Sequence, residues 1–318
     1  MERTVASGVG PRVSRRAALA RLSRHVVRDR WLYFMLIPAA LFYILFKTAP
    51  IGGLSIVLFD YLPPLGLKGS PFVGLDNITR LFSDPKFLQL FRNTILLAVY
   101  NLAFYFPVPL ILSLLLNEVR LSFYKRVVQS FIYLPHFLSW TVLVGIVFMF
   151  LGPRGLANDF LTALGQPTQN VMAVPGWFRP LVVAEIIWKE AGWGTIIYLA
   201  ALSAVDEQIY EAAIIDGASR FRQLWHITLP SIKGTIVVLL ILRMGNFMDT
   251  GFEQIYLMTN SLNRSVGDVF DTYVYTNGIQ MGNFSYSTAI GLFKSVVSFI
   301  LVLGTNKLAK LVEEEGIF

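Results

Sequence analysis

Cysteine is absent from this chain and charged residues are scarce. Only 15% of the 318 residues are Asp, Glu, Lys or Arg, whereas a soluble domain usually carries about 25%. Without cysteine there are no disulfides, no thiolate metal sites and no cysteine nucleophile. His25, His136 and His226 are far apart and lack the spacing of metal ligands, so we predict no metal site.

Nucleotide-binding loops are missing as well. Neither G-x-x-x-x-G-K-[ST] nor G-x-G-x-x-G occurs anywhere in the sequence, and these are the glycine-rich motifs that cradle phosphate groups. The chain therefore has no visible means of binding ATP or a dinucleotide by itself. We predict a protein that carries no cofactor and is not an enzyme.

Hydrophobic residues are abundant, at 55% of the chain. A helix that spans a lipid bilayer needs about 20 mostly apolar residues, and six segments of the sequence qualify. The sequence therefore predicts an all-α, polytopic membrane helix bundle with six transmembrane helices. The predicted spans lie at about 31–59, 94–116, 131–151, 181–202, 234–252 and 285–306.

Basic residues indicate which segments face the cytoplasm. Seven arginines lie between positions 12 and 30, and Lys or Arg recurs in the loops 117–130 and 203–233 and after the last span. Because cytoplasmic segments carry this excess, we predict that both termini are cytoplasmic and that no nucleic acid binds the arginine-rich tail. We divide the chain into a basic tail (1–30), a membrane domain (31–310) with a cytoplasmic loop at 205–230, and a C-terminal tail (311–318).

One stretch of that cytoplasmic loop, EAAIIDGASRFRQLWHITLP (Glu211–Pro230), is polar and helix-prone. Asp206 is placed to cap a first short helix, and Ser219 to cap a second one. Gly217 lies where a helix would end in a left-handed residue. Pro230 is expected to end the second helix, so the sequence predicts two short helices that meet at a glycine corner.

Two interpretations of this loop stay open on physical grounds alone. One is a rigid knob that fits a socket on a partner protein, with small residues at Ala212 and Ala213 and aromatic residues at Phe221 and Trp225. The other is a linker that only joins two spans.

The stretch resembles the EAA loop of binding-protein-dependent ABC importer permeases: E-A-A, three residues, G, nine residues, I-x-L-P. In that family the loop is the coupling helix that fits a cleft on the ATP-hydrolysing subunit. The resemblance implies the same role for Glu211, Ala212, Ala213, Asp216, Gly217, Ile227, Leu229 and Pro230.

Flanking sequence narrows the resemblance. The segments IIWKEAGWGTIIYLAALSAVDEQIYEAA, GFEQIYLMTN, VGDVFDTYVYTNGI and TAIGLFKSVVSFILVL resemble carbohydrate permeases, in the subgroup that imports oligosaccharides cut from polysaccharides, such as alginate fragments. This implies a type I ABC importer permease fold in the bacterial cytoplasmic membrane and transport by alternating access. It also implies a second homologous permease subunit, an ABC ATPase dimer and an extracytoplasmic solute-binding protein as partners.

Two other functions stay open at this point. One is an ABC permease for another solute class, such as peptide or phosphate. The other is a secondary transporter driven by an ion gradient. Such transporters often contain inverted repeats, and the sequence has no obvious internal repeat.

Candidate residues for the substrate path come from the spans. Ionisable side chains are costly in a membrane and usually face the bundle interior, and aromatic rings can pack on the apolar faces of sugars. Tyr100, Asn101 and Tyr105 in the second span have suitable chemistry. The main candidates are Trp188, Lys189, Glu190, Trp193, Tyr198, Arg243, Asn246 and Asp249.

Structural interpretations stay open for these candidates, and for each aromatic residue the alternative is an interfacial belt or helix packing. Lys189 and Glu190 would belong to an ion-pair network that only holds helices together, and Lys294 would extend towards the membrane surface. The charge of the cargo stays open too. An acidic sugar needs a cation such as Arg243, whereas a neutral one would rely on aromatic and amide contacts from residues such as Tyr198 and Asn246.

Overall fold

The computed structural model describes residues 28–311, and the predictions for the basic tail and the last seven residues lie outside this range. The predicted all-helical class is confirmed. Within the described range no strand forms, and the one extended contact is a bridge between Phe59 and Phe72. The described residues up to Ser55 and those from Ile56 to Leu311 belong to two compact units.

The helices differ widely in length, from single turns to more than seven turns. Short helical turns connect some of them, at Pro63–Leu65, Gly66–Gly69, Leu134–Phe137, Val171–Ala173 and Tyr275–Gln280. In chain order the helices are α1 (Arg30–Leu58), α2 (Asp76–Ser83), α3 (Phe87–Asn117), α4 (Ser122–Tyr133), α5 (Trp140–Leu151), α6 (Leu156–Ala163), α7 (Pro175–Ser203), α8 (Glu207–Ile215), α9 (Arg220–Ser231), α10 (Lys233–Gly245), α11 (Phe252–Met258), α12 (Arg264–Gly267), α13 (Phe270–Val274) and α14 (Phe284–Leu311).

Membrane-spanning length is common among these helices. Within residues 28–311, four segments are long and apolar enough to cross a membrane: α1, α3, α5 together with α6, and α14. The pair α9 and α10, bent by 58°, makes a fifth. Helix α7 has 29 residues and is about 44 Å long at 1.5 Å per residue, although its charged residues lower its hydropathy. Six spans result if α7 and α10 are both counted, with α9 in the loop that precedes α10.

Three of the prolines inside the helices share a pattern. A π-helical turn ends two residues before Pro50, Pro107 and Pro230. Proline has no N–H and clashes with the carbonyl four residues earlier, and a π turn shifts that carbonyl by one position. The prediction that Pro230 ends its helix is therefore wrong, because α9 continues to Ser231.

The third predicted span is interrupted. It was expected to run from 131 to 151, but the chain is extended at Leu138 and Ser139, between α4 and α5. Helix α4 ends at Tyr133, and a 3₁₀ turn that contains Pro135 follows and ends at Phe137. The Ser139 hydroxyl accepts a hydrogen bond from the Val142 N–H as the cap of α5. The helix of this span therefore begins at Trp140.

The fifth predicted span is shorter than expected. Helix α10 has 13 residues and ends at Gly245, although the sequence suggested a run to 252. A turn follows, in which the Asp249 N–H donates to the Asn246 carbonyl. Gly251 then takes a left-handed conformation (φ 83°) before α11.

Close packing fixes α7 in the centre of the larger unit. A β-carbon on Gly192 would lie 1.9 Å from the carbonyl oxygen of Ile132, so only glycine allows α7 to approach α4 at this point. One buried apolar cluster surrounds Phe178 and Val182 of α7, and a second surrounds Phe270 and Ile290. These contacts hold the helices that carry the candidate site residues.

Candidate functional site

Helix α8 begins and ends as the local sequence predicts. The Asp206 carboxylate accepts a hydrogen bond from the Gln208 N–H at 2.9 Å, and Gly217 is left-handed with φ 72°. The Gly217 N–H donates to the Ile214 carbonyl at 3.0 Å, and the next N–H donates to the Ala213 carbonyl at 2.8 Å. These two bonds form a Schellman motif, which fixes the direction in which the chain leaves α8.

Helix α9 is held against α8 by side-chain hydrogen bonds. Ser219 caps it by accepting from the Arg222 N–H. The hydroxyls of Tyr210 and Thr228 are 3.0 Å apart, and the Gln223 amide donates to the Ala218 carbonyl at 2.9 Å. The two helices therefore form one rigid unit, which we call the knob (residues 206–231).

The knob exposes apolar side chains. No residue of Glu207–Ile215 is buried, and Ile215, Phe221 and Trp225 are 86%, 70% and 55% exposed. The rings of Phe221 and Trp225 pack edge to face at 6.1 Å. Such a concentration of exposed apolar groups is typical of a protein-binding surface.

The residues of the EAA pattern divide between the outside and the inside of the knob. Five of the eight are exposed, and three are partly buried. Exposed are Glu211, Ala212, Asp216, Gly217 and Pro230; partly buried are Ala213, Ile227 and Leu229.

A groove lies at the far end of α10 from the knob. Helices α3, α7 and α10 enclose about 260 Å³ there. Four of the predicted path residues meet in this groove: Trp193, Tyr198, Arg243 and Asn246. Tyr105 joins them, and its ring centroid lies 5.4 Å from the Arg243 guanidinium carbon. The groove therefore combines aromatic faces, an amide and one cation.

Lys189 and Glu190 lie beside the groove and do not line it. The Lys189 ammonium donates to the carbonyls of His136 and Leu138 at 2.7 and 2.5 Å, which the break between α4 and α5 leaves without helical partners. Glu190 Oε2 lies 2.9 Å from His136 Nδ1. The His136 ring stacks on Trp193 at 4.5 Å. This arrangement fits the interpretation of a network that holds helices together.

Asp249 and Lys294 are paired with each other. Their charged groups are 2.9 Å apart, and Lys294 also donates to Asp271. The interpretation that Lys294 extends towards the membrane surface is wrong, because its side chain is 12% exposed and two carboxylates neutralise it. Trp188 is about half exposed and lies outside the groove.

The sequence reasoning missed a buried pair in α7 and α11. The Gln254 amide donates to Glu185 Oε2 at 2.7 Å and to the Val182 carbonyl at 2.9 Å, and both side chains are buried. Glu185 could have been found, because it is an ionisable residue inside a predicted span. Gln254 gave no signal, since it lies 69 residues away in the chain.

A bundle of membrane-spanning helices with an exposed helical knob and an internal groove defines a membrane transport subunit. Residues 106–313 match the family of binding-protein-dependent transport system inner membrane components, and the chain belongs to this family. It is therefore a multi-pass inner-membrane transport subunit, and the ion-driven secondary transporter does not fit this membership.

Two curated relatives from Bacillus subtilis (strain 168) match nearly the full chain. Protein LplB is 55% identical over 292 residues, 92% of each chain. The polygalacturonan/rhamnogalacturonan transport system permease protein YteP is 50% identical over 299 residues, 94% of this chain and 93% of YteP.

A solved structure supports the same assignment. It is a bacterial alginate ABC transporter in complex with an alginate pentasaccharide-bound periplasmic protein. The matching chain is 36% identical with a TM-score of 0.85, over 93% of this chain and 100% of that one. The predicted type I ABC importer permease fold is confirmed.

Proposed function

We propose that this chain is one of two homologous permease subunits that import an oligosaccharide by alternating access, coupled to a separate ATPase dimer. An extracytoplasmic binding protein delivers the sugar. The polygalacturonan/rhamnogalacturonan permease and the alginate transporter support this cargo class over peptide or phosphate.

The observation that carries the proposal is the continuity of α9 and α10. Helix α9 is half of the knob, and α10 follows it after a 58° bend at the buried Ile232. Helix α10 is about 20 Å long at 1.5 Å per residue and ends beside Arg243 and Asn246 in the groove. A movement of the knob therefore acts on the groove through one rigid helix.

The groove favours an acidic oligosaccharide. Among the described residues, Arg243 is paired with no carboxylate, whereas Lys189 and Lys294 already have oxygen partners. A carboxylate that enters a partly dry groove must be paired, and arginine can bind one through two parallel hydrogen bonds. Tyr105 and Trp193 supply the aromatic faces for the sugar rings. A neutral oligosaccharide is the second candidate, since these rings and Asn246 would bind it as well.

The experiment that tests this function is ATP hydrolysis by the purified complex in proteoliposomes. We expect stimulation when the binding protein is loaded with an oligosaccharide, and larger stimulation by a uronate oligosaccharide than by a neutral one of equal length. An unloaded binding protein is the control. Equal hydrolysis with loaded and unloaded binding protein would contradict the proposal.

We further propose that both termini and the knob are cytoplasmic and that residues 253–284 face outwards. Since the chain has no cysteine, single cysteines report their side of the membrane. Ser219→Cys should resist an impermeant thiol reagent in intact cells, and Leu262→Cys should react. The neighbouring Asn263 is fully buried, so it is not used for labelling. Labelling of position 219 from outside would show that the topology is the opposite of the proposed one.

A further inference from the structure

A second cavity lies in the part of the chain that we propose to face outwards. It encloses about 510 Å³, within the roughly 300–1,000 Å³ of small-molecule sites. Helices α11, α12 and α13, the π-helical turn Tyr275–Gln280 and Lys86 form its wall. We call it the outer cavity. None of its lining residues lies in the groove.

Hydrogen bonds from neighbouring helices fix the wall of the outer cavity. The Asn93 amide donates to the carbonyls of Ser265 and Asp268 at 3.1 and 2.9 Å, and the Gln89 amide donates to the Arg264 carbonyl at 3.1 Å. Helix α12 and the residue that follows it are therefore tied to α3 by three hydrogen bonds. A wall held in this way is already in place before a ligand arrives.

One of the two tyrosines in this wall, Tyr273, is held from behind by Asp84. The Tyr273 hydroxyl donates to Asp84 at 2.9 Å. Burial, then the hydrogen bond with Asp84, raises the pKa of Tyr273 to about 12, so it stays protonated. Burial also raises the pKa of Asp84, but hydrogen bonds from Tyr286, the Lys86 backbone and Tyr273 outweigh burial and hold that pKa below its usual value. The hydrogen bond from Tyr273 to Asp84 is therefore kept at physiological pH.

Two cations face this cavity, against one carboxylate. The Lys86 ammonium lies 5.6 Å from the centroid of the Tyr273 ring. Arg264 Nε lies 3.8 Å from Asp268 Oδ1, with its side chain 60% exposed. Asp84, behind the wall, also attracts Lys86, but its carboxylate accepts hydrogen bonds from Tyr273, Tyr286 and the Lys86 N–H. Within the lining itself two cations face one carboxylate, which favours an anionic ligand.

Polar groups that are held only weakly complete the lining. The Asn277 amide reaches the Tyr273 carbonyl at 3.4 Å, and the Gln280 amide reaches the Tyr256 hydroxyl at 3.5 Å. Both distances are at the long limit of a hydrogen bond, so these amides can turn to a ligand at little cost. An acidic sugar matches this combination of groups: its hydroxyls can bond to the amides, its rings can pack on the aromatic faces, and its carboxylate can pair with the cations.

We propose that the outer cavity is a subsite for an acidic oligosaccharide, where Lys86 and Arg264 bind a uronate carboxylate before the sugar reaches the groove. The inference rests on the proposed function and adds a second contact point for the same cargo. A subsite on the outer side would hold the sugar while the binding protein releases it.

The test is uptake by proteoliposomes that contain the complete transporter, at saturating loaded binding protein. The double variant Lys86→Gln with Arg264→Gln should slow uptake of a uronate oligosaccharide by at least about tenfold, because tenfold, or about 1.4 kcal/mol, already corresponds to the loss of one of the two charge-assisted hydrogen bonds. Uptake of a neutral oligosaccharide of equal length should stay within about twofold, which also shows that the variant folds. The matched control is Lys68→Gln, which changes an exposed lysine outside the cavity and should leave uptake of both sugars unchanged. Arg264→Lys, which keeps the positive charge, should retain most of the wild-type rate of uronate uptake.

The alternative results separate the possible causes. Equal loss for both sugars, with weaker binding of the loaded binding protein to the transporter, would mean that this surface docks that protein and would overturn the inference. Unchanged uronate uptake in the double variant would also overturn the inference. So would a wild-type transporter that takes up neutral oligosaccharides but no uronate oligosaccharide. A wild-type transporter that moves no oligosaccharide would instead contradict the proposed function.

Discussion

Gly217→Val is expected to abolish oligosaccharide uptake and sugar-stimulated ATP hydrolysis, while the amount of protein in the membrane stays normal. Gly217 has a φ of 72°, and a β-carbon there would meet no other atom within 4 Å. The defect therefore comes from backbone conformation and not from a clash. A β-branched residue in this region costs about 1–3 kcal/mol, and the chain can escape this strain only by breaking the Schellman motif that aligns α8 with α9.

Two control variants separate this effect from general strain. Gly165→Val introduces the same residue at a φ of 71° in equally open space, but between α6 and α7, and it should leave coupling intact. Gly217→Asn should retain most activity, because asparagine tolerates the left-handed region. Uptake is measured in cells and hydrolysis in proteoliposomes. Normal uptake in Gly217→Val would contradict the proposal that the knob couples ATP hydrolysis to transport.

Arg243→Gln is expected to reduce uptake of a uronate oligosaccharide by at least about thirtyfold, which corresponds to roughly 2 kcal/mol for a desolvated charge pair. The reason is that Arg243 is the groove cation without a carboxylate partner among the described residues. Glutamine keeps hydrogen-bonding capacity but removes the charge. The measurement is uptake of uronate and neutral oligosaccharides of equal length by proteoliposomes.

Comparison of variants and cargoes identifies the role of the charge. Arg243→Lys should keep part of the uronate uptake, and Lys307→Gln, an exposed lysine near the end of α14, should change neither sugar. Neutral oligosaccharide uptake should survive in Arg243→Gln if the groove is intact. Stimulation of the wild type by neutral sugars alone would eliminate the acidic cargo and leave the aromatic interpretation.

Local sequence rules predicted the knob well. Caps at Asp206 and Ser219 and the left-handed Gly217 depend on residues within one helical turn, and all three are confirmed. The same rules gave the wrong end for α9 at Pro230, because a π turn absorbs that proline. The same rules did not predict the break at Leu138. The Leu138 carbonyl accepts a hydrogen bond there from the Lys189 ammonium, which belongs to a helix distant in the sequence.

The groove could be predicted only as part of a larger set. The free-energy cost of placing a charged side chain in a membrane depends on residue type alone. It therefore makes Lys189, Arg243 and Asp249 equally good candidates for the groove. Tertiary partners then separate them: backbone carbonyls for Lys189, Lys294 for Asp249 and the Tyr105 ring for Arg243. Those partners come from other helices, and no local pattern in the sequence indicates them.

Cross-linking from position 215 to the ATPase tests the central claim, which is that the knob binds the ATPase of a partner chain and couples ATP hydrolysis to movement of the membrane helices. Ile215 is the most exposed apolar residue of α8, and Ile215→Cys would be the chain's only cysteine. With a photoactivated thiol-linked reagent on the purified transporter, we predict a covalent adduct to the ATPase subunit, with a yield that changes when ATP binds. Leu262→Cys, on the opposite side, should give none. An ATPase adduct from position 262 and none from position 215 would contradict the account.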